Sequence, residues 1–198
     1  QAQLLQVASV AGNAFPAWLL KRLTGHGERS ALAVALAEQD FLFPAEQSGM
    51  LRFKHALTRD AVYATVPPER RRALHTSVAR QLESGSEDSE VFDWQEALAY
   101  HYDAAGVGDR AARYGESAGD KAMAAMALDR ARTQYLTALR ALDTLPELNR
   151  ERLLQWCNIA QKLGMACVFD PLDLPNGLTY FERAVELAGL AGDDNALA

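Results

Sequence analysis

Cysteine is nearly absent: there are two in 198 residues, Cys157 and Cys167. Both fall inside one expected helix, ten positions apart. At about 1.5 Å per residue they stand roughly 15 Å apart, too far for a disulfide. With no Cys/His cluster beside them they read as core residues. Long apolar runs are missing as well. Nothing approaches the roughly 20 residues that a bilayer-spanning helix needs, and no secretory signal is visible. A cytoplasmic location is therefore expected, and a membrane is not an expected partner. Signatures of chemistry are also lacking. There is no GxxxxGK[ST] or GxGxxG loop, no HExxH or CxxC pair and no GxSxG elbow. The histidines at 26, 55, 75 and 101 show no metal-ligand spacing. No catalytic residue and no metal ligand is assigned, no cofactor is expected within this region, and the chain is not expected to be an enzyme by itself. Its first residue is Gln rather than Met, which suggests a piece of something longer.

What is present is an ordinary globular composition, 49% apolar and 23% charged. The net charge of −6 is unevenly spread. Residues 1–84 carry ten Lys/Arg and seven Asp/Glu (10 − 7 = +3), and residues 85–198 carry ten and nineteen (10 − 19 = −9). Such a shift marks two units with different surfaces. The acidic one is a poor candidate for nucleic acid.

The apolar pattern places Leu4, Leu5, Ala8 and Ala11 on one face of a first helix, stopped by Gly12 and Asn13. Pro16 suits the first turn of a second helix, which carries Trp18, Leu19, Leu20 and Leu23. A third helix is expected over 28–39. The period then changes. FLFPAE (41–46) and MLRFKH (50–55) are short, with Leu51 and Phe53 alternating with Arg52 and Lys54, and Gln47-Ser48-Gly49 lies between them. This is a hairpin signal, with Pro44 confining the first run to an edge or a short strand. Three helices and a small hairpin give the outline of a winged helix. A helix over 55–66 follows. Pro67 and Pro68 break it and start another, along which Leu74, Val78 and Leu82 recur every four residues. The polar stretch 84–89 is the expected domain boundary. Further helices fit 92–106, 109–124, 127–143, 149–168 and 176–190.

Ala131, Tyr135 and Ala138 have offsets of four and three, as do Gly177, Phe181 and Ala184, and Gly119 stands twelve before Ala131. Small–aromatic–small spacing on the second helix of a pair is the tetratricopeptide packing pattern, in which small residues let helices approach and the ring fills the groove. The two copies lie 46 apart, the excess over 34 falling to longer helices and to the loop at 169–176. A generic stack of α-hairpins fits the same residues, and either is a solenoid with stability shared between neighbours. Of the remaining features, the run Arg70-Arg71-Arg72 with Arg52, Lys54 and Arg59 upstream fits an anion surface or a solvated helix face. Tyr100, Tyr102 and Tyr114 read as packing residues rather than a ligand cage. His75 and His101 read as interhelical packing with a polar tip.

The segments LLQVASVAGNAFPAWLL, LRFKHALTRDAVYATVPPERRRALHTSVARQLE, ALAYHYDAAG and RAARYGESAGDKAMAAMALDRARTQYLTALRAL, in this order, resemble the bacterial signalling ATPases with tetratricopeptide tails. In many of these a class III adenylate or guanylate cyclase domain precedes the ATPase, and others end in a LuxR-type DNA-binding domain. The resemblance covers roughly residues 1–145. It implies a STAND NTPase, in which a P-loop domain is followed by a winged helix and a helical sensor array. There the winged helix is a regulatory element that folds against the nucleotide domain and holds the ADP-bound state. In related switches a winged-helix histidine of a Met-His-Asp motif contacts the β-phosphate of ADP. Here Lys54-His55-Ala56 stands in that place, without the aspartate. The resemblance thus makes His55 a candidate ADP-phosphate contact in the parent protein. An imidazole NH can donate to a phosphate oxygen beside the amides of a helix start. The same residue type also fits a local role, fixing the strand–helix corner by bonding to backbone.

The expectation is a mostly α chain. A winged-helix-like domain with a short β-hairpin and connector helices occupies 1–84, and a tetratricopeptide-like α-solenoid of helical hairpins occupies 90–198, cut mid-solenoid after GDDNALA. The expected function is regulatory. The repeats bind a protein or small ligand on their concave face, and the winged helix controls the nucleotide state (ATP or ADP) of the chain's own upstream P-loop domain. A different class of function is a transcriptional regulator whose winged helix reads DNA through the helix over 28–39. That helix, ERSALAVALAEQ, is rich in Ala and Leu with one arginine, whereas a groove reader needs outward Arg, Asn, Gln or Lys. Nucleic acid is accordingly not the expected partner.

Overall fold

The structure, a computed structural model, describes residues 2–26, 40–46, 49–85, 94–146, 149–168 and 174–192. The helix expected over 28–39 lies outside them, as do residues 47–48 of the expected hairpin turn, 86–89 of the boundary expected over 84–89 and 169–173 of the loop expected over 169–176, whose residues 174–176 instead belong to a helix. The described residues form nine helices and a three-stranded antiparallel sheet. The chain divides into two compact units, Gln1–Glu90 and Val91–Ala198.

In the first unit, α1 (Ala2–Ala11) is followed by β1 (Ala14–Pro16), α2 (Ala17–Thr24), β2 (Leu42–Pro44), β3 (Met50–Phe53), α3 (Ala56–Ala64) and α4 (Pro68–Gly85). The expected one-faced burial of α1 needs correction. Leu4, Leu5, Val7, Ala8, Ser9, Val10 and Ala11 are all buried, because α2, α3 and α4 each pack on it. A helix apolar nearly all round is an interior helix. The hairpin also gains a strand that the sequence reading did not foresee. β1 pairs with β3 through Phe15↔Leu51, and β2 pairs on its other side through Phe43↔Arg52, giving the order β1-β3-β2. Leu51 and Phe53 point into the core while Arg52 is exposed, as the alternation requires. Pro16 and Pro44 both sit on edge strands, where a missing amide costs no ladder bond.

The second unit is a run of antiparallel helices: α5 (Trp94–Ala105), α6 (Gly108–Ala124), α7 (Leu128–Asp143), α8 (Arg150–Cys167) and α9 (Leu174–Ala191). Each packs on the next, and α5 also reaches α7. Small residues set the approach. Ala131, Ala138, Gly177 and Ala184 are buried, the Tyr135 ring lies against Gly119, and the Phe181 ring lies against Gly164. A Cβ on Gly108 would stand 2.8 Å from the Ala141 carbonyl, so that position admits no side chain without a shift of α7. Trp156 is completely buried, donates to Asp143 at 3.2 Å and carries the Arg183 guanidinium 4.8 Å above its ring. Cys157 and Cys167 are both buried on α8.

The turn between α6 and α7 places Met126 at φ 56 with its side chain 69% exposed. The left-handed region costs a residue with a Cβ about 1–2 kcal/mol, and only part of this is offset by the lower unfolded-state freedom of a non-glycine. Met126→Gly is therefore expected to stabilise the second unit by roughly 0.5 kcal/mol, seen as a small rise in its denaturation midpoint. A fall in the midpoint refutes the argument.

Among the described residues, no helix is long and apolar enough to cross a membrane.

Candidate functional site

Two places gather polar side chains with something to bind. The first is the corner between β3 and α3. His55 caps α3 with extended backbone (φ −130, ψ 129). Its carbonyl accepts the amides of Thr58 and Arg59 at 3.1 and 3.3 Å, but its side chain makes no capping bond and is exposed. The backbone, not the ring, closes the corner. The first turn of α3 has no acidic residue, and the first amides of any helix lack an intrahelical acceptor. Lys54 beside it is held by Asp40 at 2.6 Å.

Behind this corner, the basic run of the sequence is taken apart. α3 has no buried residue of its own and is held instead by polar links. Arg59 Nε donates to the Ser9 carbonyl at 2.8 Å. Arg71 donates to the carbonyls of Tyr63 and Val66 at 3.3 and 3.0 Å. The Tyr63 ring lies between the two guanidinium groups, 4.8 and 4.3 Å from its centroid. Its hydroxyl meets Nε2 of His75 at 2.9 Å. His75 is completely buried. Burial, then the charges of Arg59 and Arg71, push its pKa down to about 4. Arg71 is thus a structural residue of the α3–α4 junction, while Arg70 and Arg72 remain exposed.

The second place lies in the helical unit. A groove of about 560 Å³ is lined by Asp120 and Met123 of α6, Tyr135 of α7, Lys162 and Met165 of α8, and Phe181 of α9. Its floor is apolar, and Met165 is 52% exposed there. One end is a bonded cluster. Lys162 Nζ lies 2.8 Å from both Glu116 and Asp120. Tyr135 donates to Asp120 at 2.9 Å, and Asn158 and Gln155 donate to Glu116 at 2.9 and 3.2 Å. Burial alone would lower the Lys162 pKa, but the bonds to Asp120 and Glu116 outweigh it and the pKa is raised. Burial and the bond to Asp120 raise that of Tyr135. At neutral pH an ammonium and a neutral phenol therefore stand beside Glu116 and Asp120.

None of these groove residues except Tyr135 and Phe181 stood out in the sequence. One signal was present. Glu116 and Asp120 are a like-charged pair at i, i+4 on one helix, which is unfavourable unless a cation lies between. The cation comes from Lys162, 42 residues beyond Asp120, and only the packing of both α6 and α8 on α7 brings it there. Of the three tyrosines expected as packing residues, Tyr102 is buried and stacks on the half-buried Tyr114 at 5.8 Å, whereas Tyr100 is 47% exposed. His101 is buried beside Tyr100. Among the described residues, no group of three or more His, Cys, Asp or Glu is placed to hold a metal ion.

No protein-family model matches the chain, and neither a curated protein nor a solved structure was found to match it.

Proposed function

We propose that this chain is the regulatory and sensor region of a signalling ATPase. On this reading the tetratricopeptide-like helices bind a protein or small ligand in the groove across α6 and α8, and the winged-helix-like unit controls the nucleotide state of a P-loop domain that precedes it. The groove is the observation that carries the reading: an apolar floor with a bonded polar cluster at one end has the make-up of a binding site. The corner at His55 supports the second half. An exposed imidazole at a helix start without acidic residues suits a phosphate oxygen. A ligand moves such a switch only by the difference between its affinities for the two nucleotide states.

The test is ADP release from the full-length protein. A hydrogen bond to a charged group contributes about 1.5–3 kcal/mol, so His55→Ala is expected to speed release roughly tenfold or more. Release of labelled ADP followed by fluorescence reads this directly. Unchanged release would remove His55 from the nucleotide site. A full-length protein that binds no nucleotide at all would end the reading.

A further inference from the structure

The occupant of the groove can be narrowed from its own chemistry, given the reading above that the groove is a ligand site. Lys162 is the cation among the lining residues, and it lies 2.8 Å from each of two carboxylates. An anionic ligand would have to draw Lys162 off Glu116 or Asp120 and then lie beside the exposed carboxylate. Together Glu116, Asp120 and Lys162 sum to −1. Their acceptor capacity is not exhausted. Glu116 takes bonds from Lys162, Asn158 and Gln155 and its side chain is 18% exposed, whereas Asp120 takes bonds from Tyr135 and Lys162 and is 48% exposed. A carboxylate has about four lone-pair positions, so Asp120 is left with room for a further donor, on the side that solvent reaches.

The shape favours a long ligand over a compact one. A second, polar hollow of about 690 Å³ is lined by Asp109, Arg113, Arg152, Gln155 and Asn158, on the same two helices. Gln155 and Asn158 both bond Glu116, so the two hollows share one cluster. From Asp109 to Met123 is 14 residues of α6, about 21 Å at 1.5 Å per residue. The unit is acidic in sum: Val91–Ala198 carries ten Lys/Arg and sixteen Asp/Glu, 10 − 16 = −6. Such a field favours a positive partner. The thioethers of Met123 and Met165 adapt to apolar side chains of different shape.

We infer that the α6–α8 groove takes a basic amphipathic peptide segment, with one bulky apolar side chain among Met123, Met165 and Phe181 and an arginine or lysine on Asp120. The segment's remaining length lies along the polar hollow towards Asp109.

The experiment uses the full chain and fluorescence anisotropy with three labelled 15-residue probes: an amphipathic Leu/Lys helix, its Leu/Glu counterpart, and a scrambled Leu/Lys peptide of equal charge. The amphipathic Leu/Lys peptide is expected to bind at least tenfold more tightly than either other probe. Met165→Lys, a change on an exposed side chain, is expected to weaken it tenfold or more, and Asp120→Asn to do the same with a weaker dependence on salt. Equal binding of the scrambled peptide, or binding unchanged by Met165→Lys, overturns the inference. If the Leu/Glu peptide binds best and Met165→Lys abolishes it, the groove stands as a site and the cationic class falls. If the Leu/Lys peptide binds as expected but leaves ADP release from the full-length protein unchanged, the inference stands and the regulatory reading falls.

Discussion

Lowering the pH from 7 to 4 removes roughly 3 kcal/mol of stability from the N-terminal unit through His75 alone. The sign follows from the direction of the shift. An unfolded histidine titrates near 6.5, whereas burial and two neighbouring arginines push the folded pKa down to about 4. Above pH 6.5 the ring is neutral in both states and contributes nothing. As the pH falls below 6.5 the unfolded chain takes a proton that the folded one refuses, and stability drops by about 1.4 kcal/mol per pH unit until the folded ring titrates. Arg59 and Arg71, the two charges that act on it, are both cations. From α3 come Arg59 and Tyr63, from α4 comes Arg71, and the Ser9 carbonyl of α1 is already taken by Arg59. Asp60 is bonded to Arg59 and 60% exposed. Hydrogen exchange of the α1 and α4 amides at pH 7 and 4 reads this unit by itself. His75→Gln keeps a hydrogen-bonding partner for the Tyr63 hydroxyl without a titrating ring, so the variant should lose about 3 kcal/mol less than the wild type over the same range. Equal losses in the two proteins would show that His75 accepts its proton freely when folded.

Replacing Gly119 by alanine destabilises the helical unit by about 2 kcal/mol, although alanine is the better helix former by roughly 1 kcal/mol. A Cβ at this position would overlap the Tyr135 ring. That ring cannot swing away, because it is 1% exposed and its hydroxyl is bonded to Asp120. Gly164→Ala is the informative comparison. Its Cβ would meet the Phe181 ring even more closely, but Phe181 is only half-buried and has no bonded tip. The ring can turn outward, and the change should come out within about 0.5 kcal/mol of neutral as helix propensity offsets repacking. Denaturation midpoints together with exchange of the α6 and α7 amides measure both. A Gly119→Ala protein as stable as the wild type would mean that the α6–α7 approach is looser than its geometry implies. Adding Tyr135→Leu should recover part of the loss, since the smaller side chain relieves the overlap.

The residues differ in how openly they declared these roles. The helices of the second unit were legible to within about two residues at either end, because the 3.6-residue apolar period acts locally. The Tyr135 and Phe181 spacing pointed to rings lying between helices, and the buried Cys157 and Cys167 were legible from composition. In the first unit Pro44 marked an edge strand correctly, whereas Pro16, expected in the first turn of a helix, ends β1 and stands just before α2. Three things were not legible. α1 looked one-sided because the face of Leu4, Leu5, Ala8 and Ala11 does not reveal that other helices also cover Val7, Ser9 and Val10. β1 was missed because Ala14-Phe15-Pro16 is too short to show a period. Arg71 belonged to a basic run in sequence but turns inward in space, where two carbonyls and the Tyr63 ring hold it.

The candidate sites divide in the same way. His55 was nominated from the sequence, and the fold adds that its ring is exposed while its carbonyl closes the helix start. The groove could not be nominated. Periodicity and breakers act over a few residues, so the chain by itself determined where helices begin and end and which faces are apolar. Lys162 meets Glu116 and Asp120 across 46 and 42 positions, and Tyr63 meets His75 across a proline break. Such pairings depend on which helix packs beside which and at what register. Only the tertiary structure decided them, because the energies that select them are those of side chains brought together from distant parts of the chain.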